Sequence, residues 1–166
     1  MEAALEIRFE RVWCMPNHLT FRITPIMKLL VEEVTCGLWL DPFANDNRIR
    51  EIIQSPEASF VTNDLNPDFP TDYHLDALAF LKQFRDNSVD GVLYDPPYSP
   101  RQITECYQKV GLPVTNKTTQ ASFWSLQKDE IARVVKPGGK VICFGWNTNG
   151  CGKKRGFELV RILDVP

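Results

Sequence analysis

The stretch VDGVLYDPPY, residues 89–98, joins a run of mostly apolar residues to two consecutive prolines. The run from Val89 to Tyr94 has the length and composition of a buried strand. Since a proline has no backbone N–H to give to a neighbouring strand, this strand should end at Asp95. The sequence therefore predicts a buried strand that brings four residues to one edge of a sheet, namely Asp95, Pro96, Pro97 and Tyr98.

Short apolar runs alternate with helical periodicity along the rest of the chain, which is typical of an α/β fold with a mostly parallel sheet. Further strands are predicted at Leu38–Leu40, Ser59–Thr62, Lys140–Phe144 and Phe157–Leu163. Helices are predicted after an N-cap at Thr24, and at Asn47–Gln54, Asp76–Arg85, Ile103–Val110 and Phe123–Val135. The link at 65–71 is too proline-rich for a full helix, and 136–139 (KPGG) is expected to be a sharp turn.

The bulk composition is that of one soluble globular domain. The chain has 166 residues, of which 43% are hydrophobic and 24% charged. No run approaches the roughly 18 apolar residues that cross a bilayer, and the N-terminus lacks the apolar core of a signal peptide. We therefore expect a cytoplasmic protein with no membrane contact.

The net charge of −2 argues against a protein that coats nucleic acid, because neutralising phosphates requires clustered Lys and Arg. An enzyme with a local basic rim is still compatible with this net charge. The densest basic cluster, Lys153, Lys154 and Arg155, is either a solvated turn or a phosphate contact.

The cysteines and histidines do not form a metal-binding pattern. The five cysteines are scattered without a CxxC pair, and His18 and His74 lie far apart in sequence. We interpret the cysteines as reduced thiols and expect no metal site.

Asp95 to Tyr98 would place two oxygen acceptors beside an aromatic ring. An exocyclic amine on a nucleic-acid base is a poor nucleophile, because its lone pair is delocalised into the ring. The Asp95 carboxylate and the Pro96 carbonyl could accept its two hydrogens and free the lone pair to attack a methyl group. Two prolines would hold these acceptors in place, and Tyr98 offers a face to an extruded base. The alternative is a plain strand-terminating turn.

Three motifs resemble those of the DNA amino-methyltransferases: LDPFA at Leu40–Ala44, DPPY at Asp95–Tyr98 and VKPGG at Val135–Gly139. The similarity runs over roughly residues 17–163. It implies a Rossmann-like class I methyltransferase fold, as a single catalytic domain over 1–166 with a mobile loop at 99–120. The sheet of that family normally finishes with an antiparallel hairpin. Because this chain stops at the first arm, the C-terminal hairpin is expected to be incomplete.

The resemblance also implies S-adenosylmethionine as the cofactor. Phe21 matches the segment packed around the methionine end of the cofactor. The loop after the first strand would meet the amino-acid moiety, through Asp41, Pro42, Phe43 and Ala44.

Two further acids follow from the same resemblance. Asp64 would accept hydrogen bonds from the ribose hydroxyls, and Asp76, followed by Ala77, would read the adenine ring of the cofactor. Each carboxylate has a structural alternative: Asp41 and Asp64 could cap turns or helices, and Asp76 could be only the N-cap of its helix.

The chain departs from the family pattern after Ala44. It continues with Asn45, Asp46 and Asn47, where the fuller pattern DPFxGxG expects glycines. Glycine allows close backbone approach and positive φ. Asn tolerates the left-handed region better than most residues, so we expect the turn to survive.

The first residue of the tetrapeptide favours adenine as the methylated base, since cytosine-directed relatives more often carry Ser there. The resemblance thus implies methyl transfer to the exocyclic amino group of adenine in DNA after base flipping. The alternatives are an RNA base as substrate, or a non-catalytic module that kept the fold. Because little chain follows the DPPY motif, either target specificity is low, or a partner or a missing C-terminal segment supplies it. Arg101 is interpreted as a solvated loop residue, with a phosphate contact beside the target base as the alternative.

Overall fold

The computed structural model describes residues 5–116, 118 and 121–166. Its strands are β1 (Arg8–Arg11), β2 (Gly37–Asp41), β3 (Ala58–Thr62), β4 (Val89–Tyr94), β5 (Val135–Cys143) and β6 (Arg161–Asp164). Its helices are α1 (Thr24–Glu33), α2 (Ile49–Ile52), α3 (Ala77–Leu81), α4 (Pro100–Lys109) and α5 (Ser122–Val134), with 3-10 turns at Thr20–Arg22 and Lys153–Arg155. None of the described helices is long and apolar enough to span a bilayer.

Four strands form a parallel sheet in the order β3-β2-β4-β5. The chain leaves β2 toward β3 on one side of the sheet and leaves β4 toward β5 on the other side. In open parallel sheets, ligands bind where neighbouring connections diverge in this way, outside the carboxyl ends of the strands. The Rossmann-like α/β fold predicted from the sequence is confirmed, and it points to the carboxyl ends of β2 and β4.

The middle of this sheet is the core of the molecule, as the apolar run at 89–94 predicts. Leu40 on β2 and Val92 and Leu93 on β4 are fully buried, which is typical of parallel strands covered on both faces. Gly91 has a steric role there, because a Cβ at this position would lie 2.4–2.6 Å from ring atoms of Trp39. The β4 strand is therefore held in close contact with β2 directly before Asp95.

The β5 strand begins earlier than the sequence indicates. The turn expected at 136–139 is instead absorbed as an irregularity within the strand, because Val89 pairs with Val135 while Gly91 already pairs with Lys140. Gly138 has a φ of +78°, which only glycine adopts readily. The prediction that this strand starts at Lys140 was wrong, because residues on both sides of 136–139 pair with β4.

Among the described residues a second sheet is formed by β1 and β6, which pair in parallel. The sequence did not predict β1, and the last strand is shorter than the predicted Phe157–Leu163. Within the described residues β6 pairs with β1 rather than joining the four-stranded sheet. Arg161 connects this pair to the end of α1 through ion pairs of 2.7 Å with Glu32 and 2.8 Å with Glu33.

Most helix boundaries differ from the predicted ones by a few residues for local reasons. Thr24 is the first residue of α1 rather than its cap. The α2 helix starts only at Ile49, because Asn47 has a φ of +62° that no right-handed helix contains. The α3 helix ends at Leu81, whereas α5 agrees with its prediction within one residue.

The segment expected to be a mobile loop, 99–120, begins with a ten-residue helix, α4. Ile103 and Tyr107 of this helix are buried and cluster with Phe123 of α5. Residues 117, 119 and 120 lie outside the described residues, so the mobility of the loop stays a prediction.

Candidate active site

Two carboxylates, the fully buried Asp41 and the half-buried Asp95, lie at the carboxyl ends of the central strands. Asp41 is the last residue of β2, and Asp95 directly follows β4. Both strands are parallel neighbours, so their carboxyl ends lie at the same edge of the sheet, where open parallel sheets form their ligand crevice. The pKa of Asp41 is raised well above its usual range, first by burial and then by the negative charge of Asp95. The crevice is therefore electrostatically suited to a cation.

Asp95 is fixed by two hydroxyl groups. The Tyr98 hydroxyl donates to the Asp95 carboxylate, and the Thr20 side chain also forms a hydrogen bond with it. Burial raises the pKa of Asp95, while these hydrogen bonds act in the opposite direction. Thr20 was not predicted as a site residue, because its contact depends on the fold of a segment far away in sequence.

The prolines of the motif are held from α4 and α5. The indole N–H of Trp124 donates to the Pro97 carbonyl at 2.9 Å, and the Tyr98 amide donates to the Gln102 side chain at 2.7 Å. In the part of the chain that the structure describes, no protein donor reaches the carbonyl of Pro96. The motif is thus fixed on both sides of this carbonyl, which stays available as an acceptor beside the Asp95 carboxylate. No pattern in the sequence predicted this role of Trp124.

Asp41 carries an unsatisfied oxygen. Its Oδ1 accepts a hydrogen bond from the Phe43 amide at 3.3 Å, whereas its buried Oδ2 has no partner among the described residues. Leaving a buried charged group without a partner is energetically unfavourable, by about 1–3 kcal/mol or more. An incoming donor with a positive charge would relieve both this deficit and the repulsion from Asp95.

The loop after β2 adopts the backbone geometry that the family's glycines would provide. Asn45 has a φ of +51° and Asn47 a φ of +62°, at the two positions where the pattern expects glycine. The Asn45 amide donates to Asp64 at 2.9 Å, and the Ala44 amide donates to the Asn63 carbonyl at 2.9 Å. The expectation that Asn preserves this turn is confirmed.

Asn45 gives a local test of this interpretation. Asn45→Ala should lower the free energy of unfolding by about 1 kcal/mol, because a Cβ without a compensating polar group is strained at positive φ. Asn45→Gly should change it little. Urea denaturation measures both variants, and equal stability of the two would contradict the left-handed turn.

Asp64 connects two loops at the edge of the site. Its carboxylate accepts hydrogen bonds from the amides of Asn45 and Asn66, each at 2.9 Å. Burial raises the pKa of Asp64, and these two hydrogen bonds oppose that effect. The capping role considered from the sequence is therefore present, and any role toward a ribose would use the remaining lone pairs of the same oxygens.

Asp76 is the N-cap of α3, where its side chain accepts from the amides of Leu78 and Ala79. Its other oxygen accepts from the hydroxyl of Tyr107 on α4. Ala77 is buried directly behind it. The capping alternative is thus observed, and Tyr107 is a neighbour that sequence reasoning missed.

Aromatic side chains pack around the ends of β4 and β5. Phe21 is buried against Phe144, with ring centroids 5.2 Å apart, and the Phe144 amide donates to the Tyr94 carbonyl at 3.0 Å. Phe43 packs against Tyr94 with centroids 6.0 Å apart. Pro42 is buried, and its carbonyl accepts a hydrogen bond of 3.1 Å from the Asn63 side chain, which anchors the loop.

The structure therefore gathers most predicted site residues at one edge of the sheet, whereas Asp76 contacts Tyr107 of α4. Arg101 is exposed and pairs with Glu105 at 2.9 Å, in agreement with its interpretation as a solvated residue. His74 lies 3.3 Å from the Asp64 carbonyl and from Thr71.

Together, fold and site define a Rossmann-like α/β protein with an acidic crevice at the divergence point of its parallel sheet. No protein-family profile matches the chain. The Type II methyltransferase M.BamHI of Bacillus amyloliquefaciens is 30% identical over 138 residues, which cover 74% of this chain and 31% of that protein. The chain thus spans about a third of the length of the curated relative it matches. This similarity supports a relationship with methyltransferases.

Proposed function

We propose that this chain is the catalytic core of an S-adenosylmethionine-dependent DNA methyltransferase that acts on an exocyclic amino group, with adenine as the base. The observation that carries the proposal is the position of the Asp95 carboxylate and the free Pro96 carbonyl, at the carboxyl end of β4 and beside the unsatisfied Asp41. The similarity to a Type II methyltransferase supports it over most of the chain.

The residues of the crevice fit the cofactor by charge. S-adenosylmethionine carries a sulfonium and an ammonium group, and when bound it supplies an electrophilic methyl group. Asp41 would accept a hydrogen bond from the ammonium group through its unpaired oxygen. Asp95 adds a second negative charge close by, and aromatic rings such as Phe21 and Phe43 supply apolar walls.

The DPPY residues would activate the amino group without reorganising. The Asp95 carboxylate and the Pro96 carbonyl each accept one N–H of the base, which localises the nitrogen lone pair for attack. The Trp124 and Gln102 hydrogen bonds keep the loop in one geometry during this step. Since the carboxylate must be ionised to act as an acceptor, a cationic cofactor beside it favours the reactive form by lowering its pKa.

The turn geometry also bears on the non-catalytic alternative. The missing glycines were its main support, and Asn45 and Asn47 adopt positive φ in their place. The positive φ of this turn is thus retained without glycine, which supports an enzyme over a module without cofactor.

Transfer of labelled methyl groups to DNA and to RNA in parallel assays tests the proposal. We expect incorporation into DNA, together with measurable heat on calorimetric titration with S-adenosylmethionine. Incorporation into RNA alone would show that RNA, and not DNA, is the substrate. An intact folded chain that neither binds the cofactor nor transfers the methyl group would contradict the proposal.

A further inference from the structure

The loop that follows β5 lies beside the catalytic motif. Tyr94 pairs with Cys143, the last residue of β5, so residues 144–152 leave the sheet at the same edge as Asp95. A Cβ on Gly145 would lie 3.4 Å from the ring of Tyr98. The next residue, Trp146, is 90% exposed and is the most exposed large hydrophobic side chain of the described residues.

The base of this loop is anchored, so the exposure of its tip does not come from a loose attachment. The sulfurs of Cys143 and Cys151 are 3.8 Å apart, with Cys151 buried. Lys128 on α5 donates to the Gly150 carbonyl at 2.8 Å. The fold therefore holds Trp146 outward next to Tyr98, although burying an indole ring would be favourable.

The residues around Trp146 are polar and cationic. Asn147 and Asn149 are exposed, and so are Lys153 and Lys154 on the following 3-10 turn. Neither lysine forms an ion pair within the described ranges, whereas the adjacent Arg155 is bound to Asp129 at 2.6 Å. One exposed aromatic ring and two lysines without ion pairs among the described residues thus lie within ten residues of the chain, in a segment that begins beside Tyr98.

This combination is the chemistry that recognises a nucleic acid strand. Extruding a base from a duplex unstacks its neighbours at a cost of a few kcal/mol, and an aromatic side chain can stack on the bases left behind. Lysines outside the stack neutralise phosphates. A protein partner would leave the two cations without a function, because no apolar patch surrounds Trp146 in residues 144–154 beyond the half-buried Phe144 and buried Cys151.

We propose that residues 145–154 form a DNA-contact loop, in which Trp146 stacks on bases next to the extruded nucleotide and Lys153 and Lys154 bind backbone phosphates. This inference rests on the proposed function and names the surface that holds its substrate. Trp146 is a positioning residue, since it stabilises the opened duplex rather than touching the amino group.

Equilibrium binding of a duplex with 2-aminopurine at the target position tests the role of Trp146. Trp146→Ala should weaken binding roughly 5- to 100-fold and reduce the fluorescence increase of the extruded base, because base–aromatic stacking is lost. Trp146→Phe should retain most of both signals. The affinity for S-adenosylmethionine should not change in either variant.

The salt dependence of the same binding tests the lysines. Replacing Lys153 and Lys154 by Gln should reduce the slope of log K against log salt by about 0.9 for each lysine. Lys82→Gln is the matched control, since Lys82 is exposed at the end of α3, which leads to the amino end of β4; it should leave the slope unchanged.

The inference would be overturned by wild-type binding and fluorescence in Trp146→Ala, or by an unchanged salt slope in the double lysine variant. In that case methyl transfer by the parental chain would still support the proposed function. If the parental chain transferred no methyl group but the variants showed the expected binding losses, the contact loop would stand and the proposed activity would fail.

Discussion

Asp95→Ala is expected to lower the single-turnover rate of methyl transfer by at least about 10²–10³-fold, which is the usual effect of removing one preorganised hydrogen-bonding group from a reacting centre. The variant loses the side-chain acceptor for the amino group and keeps the Pro96 carbonyl. Cofactor binding should remain within a few-fold of the parental value, because Asp41 and the loop after β2 are unchanged.

The measurement is transfer from labelled S-adenosylmethionine with enzyme in excess, together with calorimetric titration of the cofactor. Asp86→Ala is the matched control, since Asp86 is a carboxylate before the amino end of β4 whose side chain is 73% exposed in an ion pair with Arg133. A parental rate in Asp95→Ala would show that Asp95 is not the catalytic acceptor.

Asp41→Asn should raise the stability of the free protein and weaken its binding of the cofactor. In the free protein the substitution replaces a buried carboxyl group, whose ionised form is disfavoured by burial and by Asp95, with a neutral amide, and we expect the Tm at neutral pH to rise by roughly 2–10 °C. The same change should weaken S-adenosylmethionine binding about 10- to 100-fold, because a charge-assisted hydrogen bond to the ammonium group is lost. Thermal denaturation with and without cofactor measures both effects.

The stability gain of Asp41→Asn should depend on pH. The folded state of the parental protein holds the Asp41 proton at pH values where the unfolded chain has already released it, because burial raises the pKa of this group. Raising the pH above the ordinary aspartate pKa of about 3.9 therefore lowers the parental free energy of unfolding. The gain should be small near pH 3 and larger at pH 7; a gain equal at both values would contradict a raised pKa of Asp41 in the folded state.

The sequence predicted those parts of the site that local chemistry determines. An apolar run followed by two prolines was enough to locate β4 and the four residues after it. The tolerance of Asn for positive φ explained in advance how the turn at 45–47 survives without glycine. The cap at Asp76 was also visible, because capping depends only on the residue and the helix that follows it.

The remaining contacts depend on long-range packing that no local pattern encodes. Trp124 reaches Pro97 and Tyr107 reaches Asp76 only because α4 and α5 fold back on the sheet. The pairing of β1 with β6 joins residues from the two ends of the chain. The sequence at 136–139 resembles a turn in isolation, and only the partner strand shows that it interrupts β5 without ending it.

The most direct test of the account is mass spectrometry of nucleosides from DNA incubated with the chain and S-adenosylmethionine that carries a deuterated methyl group. The account predicts a deuterated methyl group on the exocyclic nitrogen of adenine, and its absence in DNA treated with Asp95→Ala. Label on the exocyclic nitrogen of cytosine would agree with the proposed mechanism and show that cytosine, not adenine, is the methylated base. Label on a ring carbon, or equal label from Asp95→Ala, would contradict the claim that Asp95 and Pro96 activate an amino group.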